Sequence, residues 1–287
     1  MSELPVPAVA PVTPDIQRMA SRAPGASRAP GAGAGSAPAS TARTPANPGG
    51  ASTPTSLADV APMFRFMRDA EQRFDTLRMT IHDRQVEARG DTVTRSDVWV
   101  RHPGSSRVVV GDPDGQTRAA RHAWVIDGDT VTHLDADAKV VRSRPHLPIP
   151  RGADSDDNLP TFGRVYRPRT PLPAGTLADT FVHPHGFCRN VLATGRLSLA
   201  GVTTGAAGRE MTLVRCGHPR SAKVLVDRPD RWLLVGADRA TGLILLLEEH
   251  VGDQLTRRAE VTSVALDEPM GDDLFALHVS GDIRRLY

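Results

Sequence analysis

Trp232-Leu-Leu-Val-Gly-Ala-Asp238, then Arg-Ala-Thr-Gly242, then Leu243-Ile-Leu-Leu-Leu-Glu-Glu249 carries the clearest structural signal in the chain. Two apolar runs flank a short polar break that ends in glycine. That is the pattern of a strand, a tight turn and a second strand running back. Around it, from Leu192 to Leu277, one strand-like run follows another with no helical period. Leu255 to Leu266 alternates long polar side chains with small or apolar ones. A meander of this kind buries one face, and that face needs a cover.

Working outward, the short segment Ala174 to Val182 reads as a helix, and Pro145 to Pro173, rich in Pro, Asp and Arg, reads as a long loop. Further upstream the strand pattern returns. Met79 to Glu87, Thr92 to Arg101, Arg107 to Val110, Ala123 to Ile126, Asp129 to Leu134 and Lys139 to Arg144 are the candidates. Asp127-Gly128 suits a type I′ hairpin turn. Before them, Ser56 with Asp59 resembles a capping box. Leu57, Val60, Phe64, Met67, Ala70, Phe74, Leu77 and Ile81 then recur every three or four residues, which predicts an amphipathic helix over Leu57 to Leu77. One helix and about ten antiparallel strands in sequence order give an α+β fold, residues 56–287 forming one domain.

Residues 1–55 read differently. From Ala20 to Ser56 only Arg22, Arg28, Arg43 and Asn47 are not Ala, Pro, Gly, Ser or Thr, and Ser-Arg-Ala-Pro-Gly-Ala occurs in tandem at Ser21 and Ser27. Such a stretch has too few large side chains to offset its ordering entropy, so a disordered tail is expected.

The chain of 287 residues has a formal net charge of +2, and Lys139 and Lys223 are its only lysines. Arginine is interspersed with Asp and Glu and aromatics are few, which argues against nucleic acid as a partner. No apolar run is long enough for a transmembrane segment. The start, Met-Ser-Glu-Leu-Pro-Val-Pro, lacks a basic region and an apolar core, so the cytoplasm is the expected compartment. No G-x-S-x-G elbow, P-loop, H-E-x-x-H or dinucleotide fingerprint occurs, so no catalytic residues, cofactor or enzymatic activity is expected. The densest reactive cluster is His183-Pro-His185-Gly-Phe-Cys188 with Cys216-Gly-His218. It allows a zinc site, though the spacing is not that of a zinc knuckle, a Cys188–Cys216 bridge, or two buried free thiols. Asp154-Ser-Asp-Asp-Asn158 lacks the glycine and distal glutamate of an EF-hand and reads as a solvated loop. Glu248, Glu249 and His250 read as a solvated strand edge, and Asp238 and Thr241 as turn residues.

The order of motifs resembles a known family. Phe74-Asp-Thr-Leu-Arg78 ends the helix. Val98-Trp-Val-Arg-His-Pro103 precedes Arg107-Val-Val-Val110, and Ile126-Asp-Gly-Asp-Thr-Val131 forms a hairpin. Asp238-Arg-Ala-Thr-Gly-Leu243 leads into the strand with Glu248, and Asp273-Leu-Phe-Ala-Leu277 closes the series. Together these look like the bacterial lipoprotein-carrier family (LolA-like) and its relatives, the MucB/RseB-type sigma-factor regulators, over about Leu57 to Tyr287. The resemblance implies a curved antiparallel half β-barrel, unclosed, with the N-terminal helix plugging its concave face and an apolar cavity for acyl chains between them. It also implies an exported or membrane-associated location as the alternative compartment.

Acyl chains are worth about 0.8 kcal/mol per buried methylene, so such a site needs apolar area more than polar groups. The inner-face candidates are Val98, Val100, Val109, Trp124, Ile126, Leu213, Leu234, Leu245 and Leu247, covered by Phe64, Met67 and Phe74 on the helix. The same residues also read as an ordinary core. The expected function is non-enzymatic binding of a lipid or lipidated ligand. The alternative is a regulatory or sensor module of the same fold that binds a protein partner through its sheet edge or its tail.

Overall fold

The computed structural model describes residues 57–87, 90–113, 120–145, 168–219, 228–277 and 284–286. The tail expected over 1–55 and the acidic loop at Asp154–Asn158 lie outside the described residues. The first described element is helix α1 (Leu57–Arg68). The chain continues through β1 (Thr76–Gln85), β2 (Thr92–Arg101), β3 (Ser105–Gly111), β4 (His122–Asp127), β5 (Thr130–Asp135) and β6 (Val140–Pro145). Two short helices follow, α2 (Leu177–Val182) and α3 (Pro184–Asn190). Then come β7 (Arg196–Thr204), β8 (Glu210–Gly217), β9 (Arg231–Asp238), β10 (Ile244–Val251), β11 (Gln254–Leu266) and the short β12 (Arg284–Leu286).

These strands form one open sheet of 12 strands in the order β12-β6-β5-β4-β3-β2-β1-β11-β10-β9-β8-β7. Two meanders, β1–β6 and β7–β11, are joined by the antiparallel pairing of β1 with β11. Only β12 runs parallel to its neighbour. The sheet therefore has two more strands than the sequence suggested. No helix among the described residues is long and apolar enough to cross a membrane.

Helix α1 is shorter than its periodicity predicts. It stops at Arg68, a 3₁₀ turn covers Ala70–Gln72, and β1 begins at Thr76. Leu77 and Ile81 fit both a helical and a period-two pattern. Strand pairing decides between them, because β1 is bonded on both sides, to β2 and to β11. In β1, Leu77, Met79 and Ile81 are fully buried while Arg78, Thr80 and His82 are not. The α2 expectation holds, but α3 was not foreseen. Pro184 starts it, a favoured place for proline because the first turn has no use for its missing N–H.

The hairpin expected at Asp127-Gly128 is present, shifted by one residue. Asp127 pairs with Thr130, so Gly128 and Asp129 are the central residues. Only Gly128 has positive φ, which is the type II′ rather than the type I′ pattern. The Glu248–His250 stretch is no edge either. β10 lies between β9 and β11, and Glu248 is buried against Arg258 (2.7 Å) and His250 (3.0 Å).

The turn between β9 and β10 is built around Asp238. Its carboxylate accepts from the Thr241 amide (2.9 Å) and hydroxyl and from both ends of the Arg209 fork (3.0 and 2.7 Å). These bonds hold it ionised against the cost of its burial. Gly242 completes the turn at φ +81°, and α1 presses directly on it. A Cβ there would lie 2.9 Å from the Phe66 carbonyl oxygen. Arg73 ties the same point by donating to the carbonyls of Phe66 (2.8 Å) and Thr241 (3.0 Å). Gly242→Ala combines left-handed strain with that clash and is expected to cost about 1–3 kcal/mol. Urea denaturation measures the loss.

Candidate ligand-binding face

Directly opposed residues of antiparallel strands project to the same side of the sheet. One row therefore runs Trp124, Val108, Val98, Met79 and Val264 across β4, β3, β2, β1 and β11. Another runs Val214, Val235, Leu247 and Ala259 across β8 to β11 and ends on β1 at Asp83. Ile126, Ser106, Val100 and Leu77 form a third. This side is apolar from β4 across the sheet to β8, and turns polar on β5 and β6, where the rows continue through His133 to Arg142 and through Val131 to Arg144. Its far row ends at the buried Asp83, to which the partly exposed Arg257 donates twice (2.8 and 2.9 Å).

Helical residues pack against this side. Cys216 lies on it, paired with Leu233, and donates to the Leu192 carbonyl (3.4 Å). Helix α1 packs on α3 and β7, and α2 on α3, β2 and β10. Val60, Met67, Phe181, Val182 and Leu192 are all fully buried. They belong to one buried core with Val98, Val100, Val235 and Leu247 of the sheet. Clefts of about 410 and 350 Å³ open instead on the opposite side, at Arg78 and Trp99 and at Arg215 and Trp232.

The cover is fastened by a polar cluster that the sequence did not reveal. Glu71, 2% exposed, accepts from the Arg169 amide (3.0 Å), and the Arg169 side chain donates back to the Glu71 carbonyl (3.2 Å). His183 sits 3.6 Å from Glu71 and bonds Asp179 (2.9 Å). Burial raises the Glu71 pKa above the usual carboxylate range, and the His183 and Arg169 neighbours oppose that. Thr170, fully buried, accepts from the Gly104 amide (2.8 Å) and pairs with His102 (2.7 Å), which stacks on Phe74 at 4.9 Å. Burial pushes the His102 pKa down to about 4, so its ring is neutral at pH 7. Arg169 to Leu172 is thereby stapled both to Glu71 and to the β2–β3 corner.

The sequence-derived residues divide between the two faces. Val98, Val100, Trp124, Ile126 and Leu247 lie on the helix side. Met67 is fully buried, Phe74 is 3% exposed, and Phe64 is half-buried against the same core. Leu245, also buried, sits at an irregularity of the β9–β10 pairing. Val109, Leu213 and Leu234 are corrections. Val109 pairs with Asp97 and Ala123, Leu213 with Gly236, and Leu234 with Arg215 and Glu248, all on the opposite side. Each sits beside a second apolar residue, Val108, Val214 or Leu233, that takes the helix side instead. Trp124, partly buried, stacks on His133 at 4.6 Å where the apolar side runs on toward β5.

No family model matches the chain, and no curated protein matches it. Solved structures do. The Pseudomonas aeruginosa MucA/MucB complex is 17% identical with a TM-score of 0.46, covering 77% of this chain and 61% of that chain. The chain thus spans under two-thirds of the MucB chains it matches. A LolA superfamily protein from Nitrosomonas europaea is 9% identical at TM-score 0.32, covering 75% of this chain and 96% of that one. The Mycobacterium tuberculosis lipoprotein LppX is 13% identical at TM-score 0.39, covering 75% and 99%. The MucB and LolA folds that the motifs resemble are therefore among the structures to which this chain is similar.

Cys188 and Cys216 are free and buried. Cys188 lies 3.8 Å from the Met67 sulfur, and burial pushes the two thiols up to about 12 and about 11 respectively. Neither is expected to react with iodoacetamide at pH 8 in the folded protein, and both should react in urea. Mass spectrometry after a timed pulse reads the difference. Labelling of the folded protein at the unfolded rate would contradict the packed cover.

Proposed function

We propose that the protein is a non-enzymatic binding protein that takes a lipid or acylated ligand on the helix side of its open sheet, the three short helices serving as its lid. The observation that carries this reading is the extent of one apolar side, from Trp124 on β4 to Val214 on β8, under helices of only 12, 6 and 7 residues. In this form the lid is closed and the seat is filled by Met67, Phe181 and Leu192. Ligand entry lifts the lid, and the acyl chain replaces those side chains against the sheet. A dozen buried methylenes would contribute on the order of 10 kcal/mol, enough to offset local opening of a short helix layer. The half-barrel curvature implied by the motifs would wrap the chain on both sides. Trp124, Val98, Val100 and Ile126 are the proposed wall on the first meander, and Leu247, Leu245 and Val235 on the second.

A fluorescent fatty acid is expected to bind at micromolar concentration. Glu71→Gln weakens the fastening of the lid and should tighten binding, because less of the binding energy is spent on opening. Titration of both proteins checks this. No binding to either one would overturn the reading.

A further inference from the structure

Strand β7 ends the sheet, and its outer edge has no partner strand among the described residues. Natural edges are usually guarded by charge, proline, brevity or a bulge, and of these β7 has only the bulge between Leu199 and Gly201. β7 spans 9 residues, and from Leu197 to Thr204 it carries no charge and no proline. Leu199 (47% exposed) and Val202 (55%) are two of the three exposed large apolar side chains among the described residues. A bulge between Leu199 and Gly201 turns both to one side, since Leu199 pairs with Val214 and Val202 with Thr212. That side is the helix side of the sheet.

The Arg196 end of β7 differs in character. Arg196, Gly217 and Trp232 stand in one row across β7, β8 and β9 on the other side of the sheet. Gly217 leaves a gap in that row, because a Cβ there would come no nearer than 3.8 Å to any neighbour. The gap is the floor of the cleft of about 350 Å³, which Arg196, Arg215 and Trp232 wall. Arg215 lies over the Trp232 ring at 4.1 Å, and neither Arg196 nor Arg215 makes an ion pair with a described residue. Of the acids at this cleft, Asp230 is engaged by Arg228 (3.1 Å), which leaves Asp253 against the two arginines.

We propose that β7 is a docking edge for an extended segment of another protein, added as an antiparallel strand and carrying an acidic residue or free carboxylate at its C-terminal end. Antiparallel addition fixes that polarity, since the incoming strand finishes beside Arg196. Its backbone satisfies the open edge, its apolar side chains lie beside Leu199 and Val202, and its carboxylate enters the arginine cleft. A second copy of this chain fits less well. Pairing β7 with itself across a two-fold axis sets each Arg196 beside the partner's Thr204 and leaves the arginines unanswered. The proposal does not depend on the lipid reading.

Two probe peptides of alternating Thr and Val, one ending in two Glu and one in two Lys, test it on the full chain. The Glu peptide is expected to slow amide exchange across Arg196–Thr204 and to bind more weakly as salt rises. Arg196→Glu should weaken it about tenfold, as reversal of a rim charge does. Val202→Lys, at an exposed position that leaves the core intact, should weaken both peptides. Equal binding of the two peptides, indifference to both substitutions, absence of binding at millimolar peptide, or dimerisation of the free chain through β7 would overturn it. Unchanged melting temperatures of the two variants establish that they fold.

Discussion

One side of the sheet is apolar from β4 across to β8, and a short stretch of helix must keep it from water. That constraint organises the rest of the molecule. The pairing of β1 with β11 makes the two meanders one surface, so Leu77, Met79 and Ile81 become the centre of the covered side rather than an edge. The cover is pinned where α1 meets the β9–β10 turn. Gly242 lets the Phe66 carbonyl approach, Asp238 holds the turn rigid, and Arg73 bonds both partners. A bulkier residue at Gly242 would push the cover off the face it protects.

The cover's other fastening is polar. Glu71, His183, Asp179, Arg169 and Thr170 join the helices to the loop exit at Arg169 and to the β2–β3 corner. Buried polar groups stabilise only when each is satisfied, and they fix one arrangement where apolar packing tolerates several. The opposite side of the sheet has another solution. Glu248, Arg258 and Glu260 form a charged row on it, with Glu248 also bonded to His250. At β3 and β4 the same side is packed instead by the Asp272–Phe275 turn, where Arg107 donates to the Leu274 carbonyl (2.9 Å).

Much of this was legible in the residues. The strand–turn–strand at Trp232–Glu249, the period-two runs of the first meander, the helix at α2 and the start of α1 all follow from spacing and turn chemistry. Apolar doublets defeated the reading of faces. In Val108-Val109-Val110, Leu213-Val214 and Leu233-Leu234, alternation is silent about which member points in, and a slip of one residue exchanges the two faces. Only register resolved them. The end of α1 is ambiguous in the sequence, because Leu77 and Ile81 satisfy a helical and a strand period together. Glu248 read as an edge because charge at a strand end usually marks one, whereas here Arg258 answers it from β11. The fastening cluster left no local signal, since Glu71, Arg169 and His183 are far apart in sequence and meet only through the fold.

The proposed function requires the helices to be a separately releasable lid over a stable sheet. Native-state hydrogen exchange measures this directly. The amides of α1, α2 and α3 are expected to open at a lower free energy than those of β1, β9 and β10, and to become more protected when a fatty acid is bound. Helix and sheet amides that open together at the global unfolding free energy, unchanged by fatty acid, would contradict it.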